Sequence, residues 1–310
     1  MDVRPIRPEE ERAAGELIFE ATRLRKPDSE ELTDFLTKAR LLGTDLSRQV
    51  VAVTPEGEVV CCGIYFLSED GTGTAATPFG RTGRCDSQLK ARLMRSLREK
   101  AHADGVAILQ VFCDEHDIET PRLLIESGFK ELALMVFLER RVSVRDRNLS
   151  PAQDIGWVGY SPELNKDFAD TVESTFEGTL DCPNLPRWSS ASETLAGWRR
   201  RGTFDPGLWW LARVDGEYAG CLLLTHYPER ERFEVTYVGV VPKRRGRGLG
   251  RKMMEKGLFE IAGRHAKSVL ALAVDAQNSP AVRMYESLGF TVAERRKVFF
   301  SLLAQPSRSR

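Results

Sequence analysis

Hydrophobic and polar positions along the chain switch between two periods. Residues 9–24 (EEERAAGELIFEATRL) and 29–43 (SEELTDFLTKARLLG) space their apolar side chains three and four apart. That spacing predicts two helices with one buried face each, with Asp28 or Ser29 as cap of the second. Residues 49–67 (QVVAVTPEGEVVCCGIYFL) hold two β-branched runs around Pro-Glu-Gly and predict a hairpin. A helix over 87–105, a strand over 106–113, a helix over 120–128 and a strand over 130–140 follow. Polar residues 140–154 (RRVSVRDRNLSPAQD) then break the pattern and are the expected linker.

Beyond the linker the order repeats. Helical patterns over 163–177 and 191–202 precede a hairpin over 209–227 that turns at Asp215-Gly216. A strand (233–242), an amphipathic helix (248–265), a strand (268–276), a helix (279–289) and closing strands (290–303) complete the second half. A shift of 161 residues lays 84–101 on 245–262 without a gap. It also carries LLIESGF (123–129) onto MYESLGF (284–290). Repetition over this length implies two copies of one α/β unit.

Composition narrows the classes. The 310 residues carry 45 basic and 45 acidic side chains, so no global field attracts nucleic acid or an anionic membrane. No run reaches the ~18 apolar residues of a spanning helix, and the N-terminus lacks a signal-like apolar core. Cytoplasmic residence is the expectation. Six cysteines without CxxC spacing read as buried inert thiols rather than disulfides or a zinc site, and four histidines lack ligand spacing. No metal is expected.

Against that neutral background, RRGRGLGRK (244–252) stands out between a strand and a helix. A helix start offers unsatisfied amides and about half a positive charge. Gly246, Gly248 and Gly250 let backbone approach phosphate oxygens, and Arg245, Arg247 and Arg251 offer charge-assisted contacts. A Walker loop lacks its Gly-Lys-Ser/Thr here, the dinucleotide fingerprint lacks its third glycine, and flanking core argues against a disordered RGG segment.

Arg245-x-x-Gly248-x-Gly250, followed by NSPAVRMYESLGF (278–290), resembles the two signatures of the GCN5-related N-acetyltransferase (GNAT) superfamily. Asn278, Ala281, Tyr285, Gly289 and Phe290 meet the second signature. The resemblance covers residues ~155–303, with the first half a faded copy. It implies an α/β (α+β) fold of two tandem GNAT domains, each a mixed, mostly antiparallel central sheet flanked by helices. Residues 1–145 would be a degenerate, non-catalytic domain and 155–305 the acetyl-CoA-binding catalytic one.

The resemblance also implies site roles. Val238 and Val240 would line the pantetheine, and the stretch Arg245, Gly246, Arg247, Gly248, Leu249, Gly250 and Arg251 would hold the pyrophosphate. Asn278 would hold the cofactor's amide arm, although an Asn before Ser-Pro also serves as a turn or cap. Tyr285 matches the family's general acid; the same position suits a packing aromatic. Glu234 matches a strand base, with Glu231 a nearby rival. Simple alternation places Glu234 with Thr236, Val238 and Val240. Glu177 and Asp181 are candidates to receive a cationic amine, with Trp188 or Trp198 as a wall; alternatively Asp181 caps a turn and the tryptophans are core. In the first copy Ser87, Leu89 and Leu124 replace Gly248, Gly250 and Tyr285, and Gly73 falls opposite Glu234.

The expected activity is acetyl transfer from acetyl-CoA to a primary amine of a small molecule or peptide, by a monomer or homodimer. The alternatives are a non-catalytic acyl-CoA sensor on the same fold and an RNA-binding role for the basic loop.

Overall fold

In the computed structural model, residues 1–41, 43–68, 71–81, 83–149 and 151–303 are described. Ser150 of the expected linker, and residues 304 and 305 of the expected second domain, lie outside them. The first half runs β1 (Asp2–Pro5), α1 (Glu11–Arg23), α2 (Ser29–Leu41), β2 (Gln49–Val53), β3 (Val59–Leu67), β4 (Thr72–Ala75), β5 (Phe79–Gly80), α3 (Ser87–Ala103), β6 (Ile108–Asp114), α4 (Glu119–Glu126) and β7 (Lys130–Arg141). The second runs β8 (Gly156–Gly159), α5 (Asn165–Phe176), α6 (Ala191–Arg199), β9 (Trp209–Val214), β10 (Glu217–Tyr227), β11 (Arg232–Val240), α7 (Leu249–Arg264), β12 (Val269–Asp275), α8 (Ser279–Ser287) and β13 (Thr291–Leu302).

The compact units do not follow chain order. One comprises Met1–Leu132 and the segment from Lys297; the other comprises Ala133–Arg296. Each therefore takes in strand residues from the other half, a division that boundaries at 145 and 155 do not anticipate. The reason lies in the apolar faces. Phe299, fully buried, joins Leu93, Leu97 and Leu109 in the core of the first unit, while Val136 and Leu138 join Phe168, Leu258 and Leu270 in the second.

In the first unit, β1, β2, β3 and β4 are antiparallel neighbours, and β4 lies parallel to β6. The 297–302 part of β13 follows β6 in the sheet. Strand β4 (TGTA) has too few apolar residues to register as a strand in the sequence. Its register pairs Thr74 with Gln110, whereas in the second unit Glu234 pairs with Ala271. Since β6 and β12 align by the same 161-residue shift, the counterpart of Glu234 is Thr74, not Gly73. Cys61 and Cys85 are joined in a disulfide, which corrects the expectation of free thiols for that pair. A β3 residue and the turn before α3, 24 positions apart, come to a Cα separation of 6.0 Å. Cys62, Cys113, Cys182 and Cys221 are free. Burial raises the thiol pKa to about 12 in Cys62, Cys182 and Cys221 and to about 11 in Cys113, which keeps them protonated.

In the second unit β8, β9, β10 and β11 are antiparallel, β11 meets β12 in parallel, and β12 pairs antiparallel with Met135–Arg141 of β7. Helix α7 covers one face: Gly257 lets it approach Leu222 and Leu224, and Met253 fits against Gly220. Its buried stripe is Leu249, Met253, Leu258 and Ile261, each worth about 1.5–3 kcal/mol on burial. The described residues of the expected linker are folded. Asp146, 4% exposed, accepts from Arg140 (2.5 Å) and from the Ser143 amide (2.8 Å). Arg147 donates to the carbonyls of Ala262 and Gly263 at the end of α7. Polar residues there serve an internal ion pair and a helix terminus rather than a solvated connector.

Candidate active site

The site of the second unit starts with a strand irregularity. On β10, Leu222 and Leu224 face α7, so Leu223 and Thr225 face the other side. Across the pairing, Leu222 opposes Val238, Leu223 opposes Tyr237, Leu224 opposes Val235 and Thr225 opposes Glu234. Thr236 is an extra residue on β11, a β-bulge that resets the alternation. Glu234 and Tyr237 therefore share the face of α5, and Val238 and Val240 turn to the face of α7. This corrects the simple alternation, which grouped Glu234 with the two valines. Val240 indeed reaches Gly250, and Gly239 faces Thr175 of α5.

The bulge also ends pairing with the neighbouring strand. Parallel contact with β12 covers Arg232, Phe233 and Glu234 and then stops, although β11 continues to Val240. Beyond Glu234 no further pairing between the two strands is found among the described residues, which leaves the β12 side of β11 open from Val235 to Val240. Tyr237, on the α5 side, stacks on Trp198 at 5.0 Å and meets Phe176 edge-on at 5.7 Å; its hydroxyl shares a hydrogen bond of 2.7 Å with Thr175. Glu234 shares Arg232 with Glu139, at 3.4 and 3.5 Å.

Past the strand comes the basic loop. Gly246 and Gly248 have left-handed φ of 73° and 79°, and Gly248 stands at the cap of α7 with no side-chain acceptor there. The amides of residues 246–251 have no acceptor among the described residues; the first bonded one is Lys252, to the Gly248 carbonyl. A Cβ at Gly248 would meet nothing within 4 Å, so φ, not crowding, calls for glycine at this position. Successive amides in such a turn form a concave anion cradle at a helix N-terminus, and this set fits a pyrophosphate.

The three arginines are not equivalent. Arg247 is exposed and has no partner among the described residues. Arg251 donates to Glu255 (2.8 Å) and Ser287 (2.7 Å), and Arg245 donates to the carbonyls of Val240 (3.0 Å), Gly178 (2.8 Å) and Thr175 (2.9 Å). Of the three expected phosphate contacts, only Arg247 is free to make one.

Asn278 is the cap of α8, accepting from the Ala281 amide at 3.4 Å. Tyr285 sits on that helix, 5% exposed, with its ring edge-on to Phe290. Its hydroxyl has no partner among the described residues. Burial pushes its pKa up, and the charge of Asp181 adds to the shift, so the phenol is held protonated.

Asp181 lies on the α5–α6 connection and is open to water, yet protein crowds its carboxylate. That desolvation raises its pKa; the Asp275 amide, donating at 2.8 Å, opposes the rise, and the Asp275 charge assists it. In return the Cys182 amide donates to Asp275 at 3.2 Å. The exchange latches the connection to the end of β12. Asp275, 1% exposed, and Tyr237 were not singled out in the sequence; only a polar residue closing an apolar strand hinted at the first. Glu177 is exposed just after α5 and Trp188 is half-buried, with neither brought against Asp181 by a hydrogen bond.

Among the described residues, no three His, Cys, Asp or Glu side chains are grouped to hold a metal, and no helix is long and apolar enough to cross a membrane. The model of the Acetyltransferase (GNAT) family matches residues 172–290. A mycothiol acetyltransferase of Thermomonospora curvata is 30% identical over 226 residues, covering 72% of each chain. That of Streptomyces griseus is 41% identical over 91 residues, covering 29% of each. Two solved structures share the fold. One is a GCN5-related N-acetyltransferase from Sphaerobacter thermophilus, with TM-score 0.61 and 19% identity over 98% of this chain and 96% of that one. The other is a tandem GNAT protein from the clavulanic acid biosynthesis pathway, with TM-score 0.54 and 14% identity over 98% and 99%.

Proposed function

The chain belongs to the GNAT family and is an acetyl-CoA-dependent N-acetyltransferase, and on that premise we propose that the second unit alone carries the chemistry, moving the acetyl group to a primary amine. What carries this reading is the run of amides from 246 to 251 that no described atom accepts.

When bound, acetyl-CoA supplies the activated thioester; the residues do the rest. The open amides and Arg247 hold the pyrophosphate. The edge of β11 beyond Glu234, where pairing with β12 ends, would receive the extended arm beside Val238 and Val240, and its backbone amides would be donors to the negative charge that develops on a thioester oxygen. An attacking amine must be neutral. Glu234, on the acceptor face, takes its proton through water. Tyr285, protonated and without a partner, returns a proton to the departing sulfur. Asp181 offers a carboxylate to a cationic acceptor at the mouth of the same cleft, with Tyr237 and Trp198 as an aromatic wall. Asn278 caps α8, its Oδ1 accepting from the Ala281 amide.

The relatives' activity makes the acceptor of mycothiol acetyltransferases the first amine to test, followed by aminosugars and peptide N-termini. The expected result is amine-dependent release of free CoA thiol. Tight CoA binding with no release across the panel would place the acceptor outside these amine classes.

A further inference from the structure

Arg245 opens the family's cofactor-loop motif, but its guanidinium points away from the loop. Nε holds Val240, the last residue of β11, while the two terminal nitrogens hold Thr175, in the last turn of α5, and Gly178, the start of the α5–α6 connection. All three partners are carbonyl oxygens. A planar fork meeting three fixed acceptors has little freedom, and a helix C-terminus favours the positive charge. The next residue, Gly246, begins the open amides. Three residues beyond Gly178, Asp181 and Cys182 exchange hydrogen bonds with Asp275. One side chain thus ties the cofactor loop to the segment that carries the acceptor carboxylate.

The first unit shows the same place without the clamp. Helices α1 and α5 each follow a proline-led turn; α1 is capped by left-handed Leu24 at φ 56°, whereas α5 is capped by Glu177 in extended backbone, with left-handed Gly178 (φ 58°) the residue after it. Arg84, which aligns with Arg245, donates instead to Glu58 at 2.7 Å. Beside the end of α1 lies an open groove of about 380 Å³ lined by Leu17, Glu20, Ala21, Leu24, Arg25 and Arg81. Where the open amide loop is lost, the arginine has left the helix end.

We propose that Arg245 is a positioning residue that couples occupancy of the cofactor loop to ordering of the α5–α6 connection, so that cofactor binding builds the acceptor site. This rests on the reading that CoA occupies the 246–251 amides. The effect runs through backbone carbonyls, and its partner by thermodynamic reciprocity is tighter cofactor binding when the acceptor is present.

Hydrogen exchange of the full chain, with and without saturating CoA, tests it. In the unaltered protein, CoA should slow exchange at 246–252 and, by about 5-fold or more, at 177–182. Arg245→Lys keeps the charge and loses the fork; CoA should still protect the loop but no longer 177–182. Persistent protection of 177–182 in the variant would overturn the coupling, as would loss of loop protection, which would make Arg245 a cofactor contact. If Arg245→Lys does not fold, Gly178→Ala strains the clamp from the other end at φ 58° and should give the same split; unchanged protection there would sink the proposal. No protection of 246–252 in the unaltered protein would be a different failure, that of the cofactor reading itself.

Discussion

Helices α3 and α7 begin at matching places in the two units, yet one start is closed and the other open. At α3 the Asp86 carboxylate accepts from the Leu89 amide at 2.7 Å, and Leu89 is buried in the core. At α7 Gly248 occupies the cap with no side chain, and the amides of 246–251 have no acceptor among the described residues. The first helix start carries its own side-chain acceptor; the second has none among the described residues. The adjoining strands differ in the same sense. Strand β4 stays paired with β6 up to its last residue, Ala75, whereas β11 leaves β12 after Glu234 and runs on unpaired on that side. At the remaining position, Leu124 is fully buried where Tyr285 carries a hydroxyl with no partner among the described residues. A duplicated fold can therefore lose chemistry through substitutions that improve its own capping and packing.

The sharpest test of this contrast is Tyr285→Phe, which keeps the ring against Phe290 and removes the proton donor. The acetylation rate should fall by roughly 10²–10⁴-fold at unchanged CoA affinity, measured by thiol release and calorimetry. A rate within a few-fold of normal would reduce Tyr285 to a packing residue like Leu124.

Next in size is a transplant of the closed start onto the open one. Arg247→Asp, Gly248→Ser and Gly250→Leu together should weaken CoA binding by about 10²–10³-fold, or roughly 3–4 kcal/mol. Aspartate would occupy the amides, serine would be strained at φ 79°, and leucine would press on Met284, already 3.4 Å from a Cβ at Gly250. Calorimetry on the unaltered chain should show one CoA per chain. Two equivalent sites, or a transplant that still binds normally, would break the comparison.

Smallest is Asp86→Ala in the first unit. Removing the cap should cost about 0.5–2 kcal/mol of stability by denaturant unfolding. CoA stoichiometry should not change, because β4 still offers no free edge. A second bound CoA in this variant would show that the cap alone had closed the site.

Much of this contrast was legible in the residues. Glycine in place of Ser87 and Leu89 marks a backbone that must be approached, and Tyr in place of Leu124 marks a polar atom on a packing face. The helices and the main hairpins follow from apolar spacing. What spacing could not reveal depends on one extra residue or on distant partners. The bulge at Thr236 moves Val238 and Val240 to the other face, and no local pattern announces it. Arg245 and Arg247 read alike in sequence; only the end of α5 distinguishes them. The short strands β4 and β8 contain too much glycine to register, and the Cys61–Cys85 pair depends on how β3 approaches α3.

The tail of β13 sets a condition on synthesis. Phe299 belongs to the core of the first unit, so that core is incomplete until the chain has been made to within a few residues of the end of the described structure. Between Leu132 and Lys297 the ribosome must add the entire second unit, which at about 5–20 residues per second takes on the order of ten to thirty seconds. Through that interval the first unit lacks Phe299, which in the finished core is buried in one cluster with Leu93 and Leu97. The half of the molecule that is translated first is thus the last to close.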